Sequence, residues 1–505
     1  MTAEATRTET KQLLRTSFWY VLGYGLVSLA GFISFPIWTR LLTIEEYGVF
    51  NLINACIFFT TAITKFGLQK AAERFFYEFG LGKREADVSS YYSTLWTGSL
   101  TLSSSAVVIA VVVFNFLLPP FGDGQFSYLI HLALLIAIFE PLNSVMLSFL
   151  RVEKKAGFHA ILNVYKKYGS LSIGMMFFVV FVWGLPGLFW ARILIEASMA
   201  VVLTTRIVVQ KKLAFRSFSK KFLVESVMFG MPLIPFELCQ IFLNLGDRFL
   251  VQAFLDLKAV GLYSAGYTMV STVQSLISVP VTMALPPLFL EMWEKQGKKK
   301  TEEFISFSLD CFLSIGVPSI CALTFFGGDM LAVLASTKYA DAKVIIPYLA
   351  APLVLLGART IFSSGLFIQK KTLVLMYLTV AASVINVVMN ILLIPVWGIS
   401  GAAIATLASS ACLIAMFVIW SAKYIKLRVN VPNVARYILA STAMVVAMYQ
   451  VDGGGFLLLL AKCLLGFLVY ASALWLIDPR ARRLLRKLSI RQLARMRPTR
   501  GQREE

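Results

Sequence analysis

Histidine is almost absent from this chain, with two in 505 residues, and acids are scarce, with 27 Asp and Glu against 47 Lys and Arg. His131 and His159 stand too far apart in sequence for a local metal site. The six cysteines (Cys56, Cys239, Cys311, Cys321, Cys412 and Cys463) are scattered singly through apolar stretches. Neither zinc-ligand spacing nor a disulfide framework can be assembled from them, so no metal or redox chemistry is expected; they read as small buried hydrophobes. No Gly-rich loop ending in Lys and Ser or Thr occurs, which argues against ATP hydrolysis within the chain. Charged residues make up only 15% of the sequence.

What fills the chain is apolar sequence, 58% of all residues. It is arranged as about fourteen long segments between residues 17 and 477, with the charges almost entirely between them. A helix needs about 20 mostly apolar residues to cross a bilayer, and backbone in lipid must close its own hydrogen bonds. The expected fold is therefore an all-α polytopic membrane protein of about fourteen transmembrane helices. Residues 1–16 are polar and the first apolar run is of full spanning length, so no cleavable signal peptide is expected.

The connecting pieces alternate in charge. One set carries 36 Lys and Arg, including ten from Arg480 to Arg503, whereas the other carries only Arg40, Arg248, Lys258, Lys338 and Lys343. By the positive-inside rule the rich set and both termini are cytoplasmic. The alternation also checks the helix count, since one missed helix would put a basic loop outside. The net charge of +20 is read as this topology signal facing an anionic inner leaflet, not as a nucleic-acid footprint. The tail, residues 478–505, sets Leu484, Leu485, Leu488, Leu493 and Met496 among arginines, which suits either a surface-lying amphipathic helix or an unstructured basic tail. Outer loops are too short to carry an active site, and an enzyme is not expected.

The sequence is built twice. Val182-Trp183-Gly184-Leu185-Pro186-Gly187 is matched by Val396-Trp397-Gly398-Ile399-Ser400-Gly401, an offset of 214. Arg40-Leu41-Leu42 before Tyr47-Gly48-Val49 is matched by Arg248-Phe249-Leu250 before Val260-Gly261-Leu262, with a glycine offset of 213. Six segments per repeat keep both halves in one orientation and predict two lobes about an axis along the membrane normal. The division is then an N-terminal piece 1–16, an N-lobe 17–208, a cytoplasmic linker 209–221, a C-lobe 222–420, two appended helices within 434–477 and the tail.

Two motifs carry a family resemblance. Pro36-Ile37-Trp38-Thr39-Arg40-Leu41-Leu42 followed by Glu45-Glu46-Tyr47-Gly48-Val49-Phe50 resembles the first loop of bacterial polysaccharide exporters. Gly230-Met231-Pro232-Leu233-Ile234-Pro235, then Asp247-Arg248-Phe249 and Val260-Gly261-Leu262-Tyr263, is similar to the same group. This is the Wzx-type lipid-linked oligosaccharide flippase family of the MOP superfamily, which also holds MATE drug exporters and lipid II flippases. The resemblance covers about residues 12–420. It implies a V-shaped two-lobed bundle with a cavity between segments one, two, seven and eight that opens alternately to either side. The implied substrate is an undecaprenyl-diphosphate oligosaccharide, with membrane lipids around it and a polymerase and glycosyltransferases as neighbours.

Such a head group needs a polar groove and cations for its phosphates. Polar residues recur at helical spacing on those four segments: Ser17, Tyr20, Tyr24 and Ser28; Asn54, Thr61 and Lys65; Glu237, Gln240, Asn244 and Asp247; and Tyr263, Tyr267, Ser271 and Gln274. The third stripe, spaced three, four and three, reads as a single face. Interhelical hydrogen-bonding is the plain alternative. Ionisable groups inside spans are costly and usually functional. Lys166 is about 14 Å deep at 1.5 Å per residue, Arg359 is also near the midplane, and Arg192 has Glu196 one turn on, which would let the two neutralise each other. Lys167 cannot share a face with Lys166, so one of the two must snorkel or pair elsewhere. Arg40 and Arg248 occupy equivalent outer loops, where they either receive the diphosphate or serve the architecture. Glu237, Glu140 and Asp310 are candidates for proton or sodium coupling. A MATE-like cation-coupled exporter and a lipid II flippase are the rival readings.

Overall fold

The computed structural model describes residues 3–80, 88–117, 124–451, 453 and 455–478, with side chains from Phe18 onward. Lys83, Arg84, the Ser17 side chain and the basic tail after Asp478 lie outside the described residues. Every regular element among the described residues is helical. In order these are α1 (Ala3–Leu41), α2 (Ile44–Thr64), α3 (Leu68–Gly80), α4 (Val88–Val112), α5 (Gly124–Val152), α6 (Ala156–Met175), α7 (Gly184–Val209), α8 (Lys220–Gly230), α9 (Ile234–Ile241), α10 (Asp247–Phe254) and α11 (Leu257–Leu334). Then follow α12 (Ile346–Gly357), α13 (Arg359–Phe362), α14 (Ser364–Ile368), α15 (Thr372–Ser421), α16 (Val431–Tyr449) and α17 (Phe456–Ile477). Among the described residues ten helical stretches are long and apolar enough to cross a membrane. Two of them, α11 and α15, bend at Gly297 (φ 75°) and Gly398 (φ 57°), and each holds two of the expected apolar segments.

The chain groups into two compact units. One comprises residues 1–272 and 376–409, the other 273–375 and 410–505.

In the first unit, the repeated motifs have visible physical roles. Thr43 opens α2 with a reciprocal cap: its hydroxyl accepts the Glu46 N–H at 3.1 Å, and the Glu46 carboxylate accepts the Thr43 N–H at 2.8 Å. One turn later a Cβ on Gly48 would strike the Leu257 carbonyl, and a Cβ on Gly261 would strike the Ile44 carbonyl. Residues 44 and 257, like 48 and 261, differ by the repeat offset. The contact is therefore reciprocal, and the start of α2 and the start of α11 meet as near-equivalents with glycine permitting the approach. The other motif behaves alike in both copies, since Gly184 and Gly398 both take positive φ, 60° and 57°.

Two departures from regular helix matter for the site. Pro232 and Pro235 cannot donate backbone hydrogen bonds, and the seventh apolar segment is broken into α8, a 3₁₀ turn at Met231–Leu233, α9, a π turn at Phe242–Gly246, and α10. The stretch after α2, expected as a loop, is the amphipathic helix α3. It buries Leu68, Ala71, Ala72, Phe75 and Phe79 against α4 and α5 residues such as Tyr91 and Phe149, while Lys70 and Arg74 stay exposed.

Loops of the basic set gather together. Glu153, after α5, receives Arg206 at 2.5 Å, Lys212 at 2.6 Å and the Tyr92 hydroxyl at 2.6 Å. Arg151 reaches Glu73 at 2.9 Å. Burial acts to raise the Glu153 carboxyl, but hydrogen bonds from Lys212, Tyr92 and Arg206 prevail and hold it down at about 2. In the second unit the Lys426 and Arg428 N–H groups bond Glu302 and Ser306 at 2.9 and 3.1 Å. In each unit, loops of like charge class share one side.

Candidate functional site

The first unit lines a half-open cavity of ≈ 560 Å³. The α1 helix supplies Gly31, Ser34 and Trp38, and α2 supplies Asn51 and Asn54. Glu140 comes from α5, Lys166, Lys167 and Ser170 from α6, and Arg192 from α7. Leu245 of the π turn, Arg248 of α10 and Tyr267, Thr268 and Ser271 of α11 complete the wall. The tight α6–α7 hairpin, with Val182 and Gly184 both at positive φ, sets Lys166 and Lys167 opposite Arg192.

Nearly every charge here is paired. Lys166 lies 2.5 Å from Glu196 and 3.3 Å from Glu140. Arg192 donates to Glu140 at 2.9 Å and to the side-chain amide oxygen of Asn54 at 2.9 Å. Glu196 is fully buried and also accepts the Asn143 amide at 2.7 Å. Two cations and two carboxylates thus cancel. Arg248 lies 3.4 Å from Asp247 and 4.8 Å above the Tyr267 ring, and it donates to the Asn244 carbonyl at 3.0 Å. Asp247 in turn accepts the Tyr263 hydroxyl. Lys167 alone among the cavity's cations has neither an ion pair nor a hydrogen bond among the described residues, and it is exposed to the cavity. The cavity therefore carries one uncompensated positive charge, on Lys167. Depth in the sequence points to Lys166, raises Lys167 only as a neighbour on another face, and does not reach Asn51, Ser34 or Thr268. Adjacency to Lys166 was the available signal, because neighbouring helical residues point about 100° apart.

The remaining expectations divide. Lys166, Arg192, Arg248, Tyr267 and Glu140 come together at the cavity. Tyr263 does not, because it is completely buried and its hydroxyl is taken by Asp247. Lys65 caps α2 and pairs with Glu237 of α9 at 3.2 Å, so it is engaged across helices. The Arg192–Glu196 pair within α7 is not formed; each reaches to other helices. The single face expected for Glu237, Gln240, Asn244 and Asp247 is broken by the π turn, whose wider pitch rotates the later residues. Asp247 is buried, while Asn244 is exposed and donates to the Gln240 carbonyl at 2.6 Å. The stripe on α1 meets α6, with Tyr20 edge-on to His159 and both Tyr20 and Tyr24 lining a separate space of ≈ 80 Å³. Arg40 is exposed at the end of α1 and bonds the Pro36 carbonyl at 3.2 Å. Arg359 at the start of α13, Gln274 and Asp310 belong to the second unit. Gln274 donates to Ser278 at 3.0 Å. Asp310 accepts both bonds from the Asn433 amide, 2.9 and 3.1 Å, tying α11 to α16.

A family model described as polysaccharide biosynthesis protein matches residues 13–293. The probable low-salt glycan biosynthesis flippase Agl15 of Haloferax volcanii is 22% identical over 473 residues, 92% of this chain and 95% of that protein. An uncharacterised membrane protein of Methanocaldococcus jannaschii is 24% identical over 410 residues, 77% of this chain and 80% of that one. Among solved structures, lipid II flippase MurJ in an inward closed conformation superposes with TM-score 0.75 at 15% identity, covering 92% of this chain and 99% of its own. An inward-facing multidrug resistance MATE transporter of the MOP superfamily gives 0.64 at 17%, covering 79% and 93%. The likeness of the structures shows the fold, an all-helical bundle like those of MurJ and the MATE transporter, and its ten long apolar helices among the described residues suit a multi-pass membrane protein.

Proposed function

The chain belongs to the polysaccharide biosynthesis protein family, and we propose that it is a flippase for an undecaprenyl-diphosphate-linked oligosaccharide. It would carry its cargo from the inner to the outer leaflet by alternating access, with both termini on the cytoplasmic side of a bacterial cytoplasmic membrane. The observation that carries this reading is the cavity of ≈ 560 Å³ in which every cation but Lys167 is neutralised. A cavity with a surplus cation and amide and hydroxyl groups from Asn51, Asn54, Ser34, Thr268 and Ser271 suits a phosphate joined to a sugar. An apolar tail can stay in lipid. A cationic drug would meet like charge there, which disfavours the exporter reading. Agl15 is named a probable flippase, MurJ a lipid II flippase and the MATE protein a transporter, and no catalytic residue is assigned. A polymerase and glycosyltransferases would act on the cargo before and after it crosses.

The test is depletion of the protein in its host, followed by measuring which lipid-linked glycan builds up and on which membrane face. Inner-face accumulation of an undecaprenyl-diphosphate oligosaccharide is expected. Accumulation of lipid II, or altered sensitivity to cationic drugs with no glycan build-up, would overturn the assignment.

A further inference from the structure

A second cavity, as large as the first at ≈ 560 Å³, lies wholly within the second unit, on the side where its basic loops gather. It forms between the arm of α11 after Gly297 and the extended stretch joining α15 to α16. That stretch is strapped to α11 through its backbone: the Lys426 N–H donates to Glu302 and the Arg428 N–H to Ser306, one helical turn further on. Ile425 anchors it from the other edge, fully buried. Residues two apart in extended chain point the same way, so the Lys426 and Arg428 side chains share an edge.

The acids of this cavity are largely occupied by the fold. Glu302 holds the Lys426 amide and lies 4.0 Å from Lys298. Asp310 holds Asn433. The side chains of Lys299, Lys426 and Arg428, by contrast, have no ion pair or hydrogen bond among the described residues, and Glu303 is the acid left over. Lys426 and Arg428 also line an adjoining space of ≈ 330 Å³ whose other walls are Val418, Ala422, Ile425 and Leu427. Two unpaired cations thus stand where a polar cavity meets an apolar one.

We propose that this junction binds an anionic phospholipid of the leaflet on the basic-loop side, with its phosphate on Lys426 and Arg428 and acyl carbons in the apolar recess. A soluble phosphate would satisfy the cations but leave the recess unused, and this favours the lipid. The site is separate from the cavity of the first unit and does not depend on what that cavity carries.

The full-length chain in neutral detergent would be titrated with phosphatidylglycerol or phosphatidylcholine, and bound lipid counted by native mass spectrometry. Phosphatidylglycerol should bind at least about tenfold more tightly, and K426Q/R428Q should weaken it about thirtyfold, from about 1 kcal/mol per cation at a membrane surface and 1.4 kcal/mol per decade. K300Q, an exposed lysine outside the lining, should leave binding unchanged. E303Q should strengthen binding, a gain that a misfolded variant would not show. Equal retention of the two lipids, wild-type affinity in K426Q/R428Q, or displacement by glycerol phosphate at the lipid's own concentration would each overturn the proposal.

Discussion

Lys166 offers the sharpest test of how the charged centre is held. Replacing it by Met removes both of its ion pairs, but the consequences for the two carboxylates differ. Glu140 keeps Arg192 at 2.9 Å. Glu196, with no exposed surface, keeps only the Asn143 amide at 2.7 Å. One hydrogen bond to a charged group is worth about 1.5–3 kcal/mol, which does not offset an unpaired buried carboxylate. Breaking a buried pair from one side costs about 3–5 kcal/mol. For a chain of 505 residues that corresponds to a fall in Tm of roughly 3–5 °C at ordinary unfolding entropies per residue. Glu196→Gln should cost less, about 1–2 kcal/mol, because Lys166 is partly exposed and retains Glu140 at 3.3 Å. The double variant Lys166→Met, Glu196→Gln should recover most of the loss, since no buried charge remains unpaired. Thermal unfolding of the four purified proteins in one detergent measures the cycle. If Lys166→Met unfolds with wild type, or the double variant is no more stable than Lys166→Met, the network is not the buried, balanced cluster described here. A transport defect in Lys166→Met would then have to be read beside its protein level.

Lys167→Gln should behave oppositely: wild-type Tm, with glycan flipping in reconstituted vesicles slowed at least about tenfold by loss of a charge-assisted contact; unimpaired flipping would remove Lys167 from the proposed site. Glu153 makes stability depend on acid. Its folded value is depressed to about 2, so its contribution is complete above the ordinary carboxylate value, about 4.3, and is lost as pH falls from there towards 2. The shift is worth at most about 3 kcal/mol, and Glu153→Gln should flatten that limb of a Tm-against-pH curve. Gly48→Ala and Gly261→Ala each push a Cβ into a carbonyl and should each destabilise by about 1–3 kcal/mol, visible as lower Tm and lower yield. The Lys65–Glu237 pair at 3.2 Å predicts that Lys65→Glu lowers stability and that adding Glu237→Lys restores part of it.

Much of this was legible in the sequence because membrane folding writes in long, redundant signals. Apolar runs, the charge alternation and the duplicated Trp-Gly and Tyr-Gly motifs each span many residues, and the family resemblance read from Pro36 to Phe50 agrees with the family match over residues 13–293. The misses are local and have local causes. The α3 helix is short and charged on one face, so it reads as a connecting piece although Leu68, Ala71, Ala72, Phe75 and Phe79 repeat at helical spacing. The stripe on the seventh segment assumed an unbroken 3.6-residue period. Pro232 and Pro235 announced the interruption, but the π turn at 242–246 had no comparable signature in residue type.

Depth in the membrane alone does not separate a cation that binds a ligand from a structural charge. Lys166 and Lys167 are neighbours at the same depth, yet the rotation between them sends one towards Glu140 and Glu196 and leaves the other in the cavity. The deciding carboxylates come from α5 and α7, 26 residues before and 30 after Lys166, a separation no spacing rule within one helix can reach. Arg248 is neutralised locally instead, by the adjacent Asp247, and its guanidinium lies on Tyr267. The group free to receive an anion is the cation left over once every interhelical pair has formed. If that holds, removing Lys167 and removing Lys166 must produce different phenotypes, one in transport and one in stability, although the residues are adjacent in the chain.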